Sequence, residues 1–124
     1  MANLVPPYEA ENTGRHGVSA AIEFAVVNLK VENIVILGHR QCGGIRALMS
    51  SKQKKEVSFV GMWMEILHSA REKVLQNFPD QDFESQCKEC EMEGLITSIK
   101  NLKSFPFVKE GLDNDSLSVL GIYF

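Results

Sequence analysis

Positive charge is in the minority in this chain. Thirteen Lys and Arg stand against sixteen Asp and Glu, a formal net charge of −3, and no basic stripe gathers for a phosphate backbone. Nucleic acid is not an expected partner. Long apolar runs are missing too: nothing approaches the ~18 residues that a membrane-spanning helix needs, so no membrane role is expected. The segment Met1 to Pro7 has neither a basic stretch nor an apolar core and does not read as a signal peptide. Cysteine is scarce and odd in number, three in 124 residues, which does not make a disulfide framework. A cytoplasmic, reducing compartment is the expectation. Internal repeats and low-complexity stretches are also lacking, and the length suits one domain over residues 1–124.

What is present centres on Asn33-Ile34-Val35-Ile36-Leu37-Gly38-His39-Arg40-Gln41-Cys42-Gly43. Four branched aliphatic residues without a break read as a strand buried on both faces, the parallel-sheet type. In open α/β sheets, function collects beyond the carboxyl end of such strands. There the sequence sets His39 and Cys42, two good zinc donors. Gly43 and Gly44 follow, letting backbone approach a ligand and opening a helix whose first N–H groups suit an anion.

Around this stretch the apolar spacing predicts a helix over 18–30, the strand 34–37, and a helix from about Cys42 to Ser50. The charged segment 51–56 reads as exposed. One continuous helix is expected over 59–77 with Trp63, Ile66, Leu67, Ala70 and Val74 as its stripe. Another covers 83–102 with Cys87, Cys90, Gly94, Leu95, Ile99 and Leu102 on one face. A short helix to about Gly111 and a last strand, 117–123, complete the order. Two strands are too few for an independent sheet, and both ends look abrupt, so truncation at both ends and a chain that is not a stable monomer are expected.

Several chemistry-bearing residues have plainer readings. Cys87-x-x-Cys90 fits a redox pair or half a metal site, but thiols three apart on a buried helix face fit core packing better. His16 could relay protons, since imidazole titrates near neutrality, yet an exposed position at a helix start explains it. His68 reads as a surface residue. Arg40 could attract an anion, with a solvated side chain as the default.

The loop Gly38-His39-Arg40-Gln41-Cys42-Gly43-Gly44 after Ile34 to Leu37 resembles the zinc loop of the β-class carbonic anhydrases. The resemblance runs through Ala2 to Tyr8 (as in the plant-type branch), His16 to Val26, Cys90-Glu91, Ser98 to Leu102, Phe105 to Val108 and Leu117 to Tyr123. It implies a three-layer, Rossmann-like α/β fold with a mostly parallel sheet, incomplete in this chain. It implies zinc as the cofactor, with His39 and Cys42 as metal ligands and Phe24, Gly43 and Gly44 lining the place of carbon dioxide or bicarbonate.

The family's other zinc cysteine lies in a Cys-x-Asp-Ser-Arg motif before the Asn-Leu-Val-Pro-Pro segment. That third ligand, and the Asp and Arg beside the metal, are missing from this sequence, as is the strand that carries them. The reaction implied for the complete enzyme is the reversible hydration of carbon dioxide to bicarbonate by a zinc-activated hydroxide, in a dimer or larger homo-oligomer. No catalytic residue of this chain is assigned. The alternative is a non-catalytic remnant that keeps the scaffold and binds a partner chain.

Overall fold

The computed structural model describes residues 3–10, 14–50 and 58–124. The charged stretch expected at 51–56 lies outside them. The helix α1 (Gly17–Glu23) continues through a π-helical turn, Phe24–Asn28, and leads to strand β1 (Asn33–Gly38). Then come α2 (Gly43–Ser50), α3 (Phe59–Met64), a 3-10 turn (Glu65–Leu67), α4 (His68–Asn77), α5 (Phe83–Leu102), α6 (Pro106–Asp113) and β2 (Ser118–Tyr123). The two strands pair in parallel, Val35 beside Leu120 and Leu37 beside Ile122. Helices and a parallel pair give the expected α/β class in incomplete form.

The end of the π-helical turn is a reversal built on Lys30. Its φ is 53°, the left-handed conformation of a helix stop, and the Val31 N–H reaches back to the Ala25 carbonyl at 3.1 Å, one residue further than in an α-helical stop because the turn is π-helical. A lysine there takes a place that glycine usually fills.

The helix expected without interruption over 59–77 is broken, which corrects the sequence reading. The 3-10 turn Glu65–Leu67 splits it. Burial supplies the reason: Met64, Leu67 and Ala70 are the inward residues, spaced three apart, and a three-residue turn aligns them on one face. Met64 therefore joins the stripe, while Trp63 and Ile66 pack at its margin.

The spine is α5, 20 residues long and so about 30 Å from end to end. Its first half enters a cluster with α2, α3 and α4 through Cys87 and Cys90. Its second half enters another, with β1 and α6, through Leu95 and Leu102. Leu4 and Val5 fall one into each cluster, and the segment that carries them is tied to α5 where Asn101 Nδ2 donates to the Val5 carbonyl at 2.9 Å. Strand β2 crosses α5 closely at Gly121, where a Cβ would stand 2.6 Å from Ile99 Cδ1.

Asp82 starts α5: its carboxylate accepts from the Ser85 N–H at 3.0 Å and from the Ser85 hydroxyl at 2.8 Å. These bonds, the backbone one first, hold its pKa below the usual 3.8. A depressed carboxylate pKa stabilises the fold above the unfolded value, and that contribution is lost as pH falls through the folded value. Asp82→Asn keeps a capping oxygen but cannot titrate. Its thermal midpoint should fall less than that of the wild type as pH drops from neutrality to below 3.8; parallel acid profiles would show that the ionised carboxylate makes no contribution.

The described residues cover only one face of the sheet. Ile34, Ile36 and Val119 turn to the second cluster. On the opposite face Val35, Leu37, Leu120 and Ile122 are 48–51% exposed, although parallel sheets are ordinarily buried on both faces.

Candidate metal half-site

Strand β1 ends at Gly38, and the chain turns through His39, Arg40 and Gln41 into α2. The turn is held from several sides. Arg40 N–H donates to the Phe124 carbonyl at 2.9 Å, and Phe124 N–H returns to the Gly38 carbonyl at 3.1 Å, which extends the parallel ladder past both strands. Gln41 is in the left-handed region, φ 57°, a costly conformation for a non-glycine residue that persists where its surroundings impose it.

His39 is exposed, and its Nδ1 lies 2.8 Å from the Arg40 carbonyl. A carbonyl only accepts, so the proton of this bond sits on Nδ1, and in the neutral ring the lone pair is on Nε2. That is the arrangement of a histidine prepared to ligate a metal through Nε2. Cys42 is buried, and its backbone N–H donates to Glu91 Oε1 at 2.8 Å. The other carboxylate oxygen accepts from the Tyr123 hydroxyl at 2.8 Å. Burial first, and then this hydrogen bond, push the Tyr123 phenol up to about 12.

His39 and Cys42 line one narrow cleft with Asn3, Gly38 and Glu91. Its free volume of about 20 Å³ is on the scale of a single water. Gly43 opens α2 with no atom within 4 Å of where a Cβ would sit, and Gly44 is half-buried behind it. Phe24 stands apart: it lies in the π-helical turn, 56% exposed, and is not among the residues of this cleft.

No group of three His, Cys, Asp or Glu converges on a metal position among the described residues. His39 and Cys42 are two candidate donors, one fewer than a catalytic zinc site requires of its protein. Neither remaining cysteine fills the gap. Cys87 and Cys90 are buried on α5, and desolvation raises both thiol pKa values, that of Cys90 to about 12. Thiol redox chemistry needs an accessible, low-pKa thiolate, so the packing reading of this pair holds. His16 lies beside Glu9, 4.0 Å away, and His68 is exposed on α4.

The sequence reading passed over Glu91 and Tyr123 as site residues. A signal was there for Glu91. It stands four residues after Cys87 and four before Leu95, an acid in the middle of an apolar helix face, where carboxylates seldom go unless they are paired.

Comparison with known proteins agrees with this geometry. The family model described as carbonic anhydrase matches residues 1–124. Beta carbonic anhydrase 3 of Arabidopsis thaliana is 37% identical over 127 residues, an alignment covering 100% of this chain and 48% of that protein. The solved structure of the β-carbonic anhydrase CcaA superposes with a TM-score of 0.84 at 29% identity, covering 98% of this chain and 53% of that one. A structure from a study of two tetrameric β-carbonic anhydrases of Sordaria macrospora gives 0.80 at 27% identity, covering 99% and 59%. The chain therefore spans about half the length of these relatives. With the loop, the strand order and the whole-length match in agreement, the chain belongs to the β-class carbonic anhydrase family.

Proposed function

We propose that this chain contributes the His39 and Cys42 half of a zinc centre for the reversible hydration of carbon dioxide to bicarbonate. The observation that carries the reading is the His39 hydrogen bond: Nδ1 is committed to the Arg40 carbonyl at 2.8 Å, which leaves Nε2 to take a metal, and His39 and Cys42 line one cleft. Zinc, when bound, makes a hydroxide available near neutral pH. The third protein donor comes from another polypeptide segment or a second chain. Gly43 and Gly44 give backbone access to bicarbonate, supported by the open space before Gly43, and Phe24 belongs to the wall of the assembled cleft. The working form is a homo-oligomer; related enzymes of Sordaria macrospora are described as tetrameric. Its compartment is the cytoplasm, in keeping with three cysteines that form no disulfide.

A second reading rests on the missing third donor among the described residues: a scaffold of the same family that binds a partner chain without turnover. Zinc per chain after chelator washing separates the two, with His39→Ala as control. The zinc reading expects about one zinc per chain, lost in the variant, and carbon dioxide hydration in stopped flow that is lost with it. Zinc no higher than in His39→Ala, and no hydration above the uncatalysed rate, would establish the scaffold reading.

A further inference from the structure

We propose that Glu91 is a positioning residue for the metal loop: its carboxylate clamps the Cys42 backbone to α5, and Tyr123 holds the carboxylate in turn. The assignment of Cys42 as a zinc donor, on which this rests, is the reading given above.

Glu91 is 9% exposed on a helix face that also carries Cys87, Cys90, Gly94 and Leu95. A buried carboxylate is unfavourable unless each oxygen finds a donor. Both do, at 2.8 Å each: Cys42 N–H on Oε1 and Tyr123 O–H on Oε2. The bridge joins three parts of the fold that are distant in sequence, namely the start of α2, the middle of α5 and the end of β2. A leucine at this place would pack against Leu95 at lower cost, so the carboxylate is there for its partners.

Those partners bear on the site in a definite way. Cys42 is the last residue before α2, and its N–H is one of the helix-start donors with no intrahelical acceptor. Fixing that N–H fixes the peptide plane between Gln41 and Cys42; the Cys42 carbonyl, which accepts from the Arg46 N–H at 3.0 Å, holds the next plane, and the two together set the direction of the Cys42 Cα–Cβ bond. Gln41, immediately before, is held in its left-handed conformation. The Arg40 N–H bond to the Phe124 carbonyl pins the other side of the turn, one residue beyond Tyr123. The distance between the two donors is thereby set by α5 and β2 rather than by the loop itself. Groups that orient metal ligands in this manner typically change metal affinity by about 10–100-fold when removed.

The test compares wild type, Glu91→Ala, Glu91→Gln and Tyr123→Phe in the full chain. One readout is hydrogen exchange at the Cys42 amide, with the Val108 and Lys109 amides of α6, bonded to the Phe105 carbonyl, as controls outside the cleft. The other is cadmium titration, followed by thiolate-to-metal charge-transfer absorbance. Glu91→Ala should speed Cys42 exchange by about 10–100-fold, as for a lost bond to a charged acceptor, without moving the controls, and weaken cadmium binding by about 10–100-fold. Glu91→Gln keeps a neutral acceptor for Cys42 and should lose only about fivefold on both readouts, the difference between a charged and a neutral acceptor. Tyr123→Phe should fall between them.

The proposal is overturned if Cys42 exchange is unchanged in Glu91→Ala, or if Ala and Gln behave alike. Should Glu91→Ala fail to fold, Tyr123→Phe decides: Cys42 exchange as slow as in wild type refutes the clamp. A wild-type chain without a charge-transfer band removes the zinc reading, and the amide measurement still decides whether Glu91 holds the loop.

Discussion

Phe105→Ala should cost about 3–5 kcal/mol of stability, the largest loss expected from one substitution in this chain. Phe105 is 2% exposed and sits where α5 gives way to α6. Its ring meets Tyr8 edge-on at 5.5 Å and Phe107 at 5.6 Å, and it shares a cluster with Leu102, Val108 and Leu117. Its backbone is equally engaged. An extended ψ of 125° precedes Pro106, as proline requires of its neighbour, and its carbonyl accepts from Val108 and Lys109. Alanine leaves that backbone undisturbed but empties the space under the N-terminal segment. Domains of this size hold only about 5–15 kcal/mol in total, and this one leaves a sheet face bare. The urea midpoint should therefore collapse, with most of the chain unfolded at 37 °C. Phe105→Leu, which refills much of the volume, should cost less than half as much. A loss under about 1 kcal/mol for alanine, far outside the range for buried aromatics, would mean that the second cluster does not hold the fold together.

The sequence made some of this legible and hid the rest for physical reasons. The bounds of α5 could be read because each end carries its own marker: Asp82 caps one, and Pro106 lies just past the other. The β1 strand and the His39–Cys42 loop could be read because their pattern is local: an unbroken aliphatic run, a glycine, and then an imidazole and a thiol follow one another directly, and no distant residue is needed to define them. The break inside 59–77 left no glycine or proline to mark it; it follows from which residues are buried, a tertiary fact. Glu91 was masked by company. Glu84, Glu89 and Glu93 share its helix, and what singles it out is contact with Cys42, 49 positions away, and with Tyr123, 32 away. Phe24 shows the converse. The resemblance marks it as a cleft residue, while in the chain by itself its ring faces outward.

The bare sheet face leads to the second large effect, on association. Leu37 and Ile122 are direct neighbours in the parallel pairing and stand about half exposed beside Val35 and Leu120. Two strands with an apolar face and open edges do not stand alone in water, so the purified chain should self-associate, with a second copy covering this face. The double variant Leu37→Thr, Ile122→Thr places β-branched residues suited to a strand at both positions but removes much of the apolar surface. Counting two half-exposed side chains in each of two copies, association should weaken by about 3 kcal/mol, roughly a hundredfold in dissociation constant. Light scattering should then give a species near 13.9 kDa, with an unchanged circular dichroism spectrum. A wild-type chain that is already a monodisperse monomer, or a double variant that associates as before, would refute this.

The consequence reaches the metal loop, because Leu37 is two residues before His39 on the same strand end. A chain that covers the face arrives beside the half-site and can bring the donor that His39 and Cys42 lack. Zinc bound per chain should accordingly rise with protein concentration in the wild type and stay low and flat in the double variant. Equal zinc uptake by the two at every concentration would separate metal binding from the sheet face altogether.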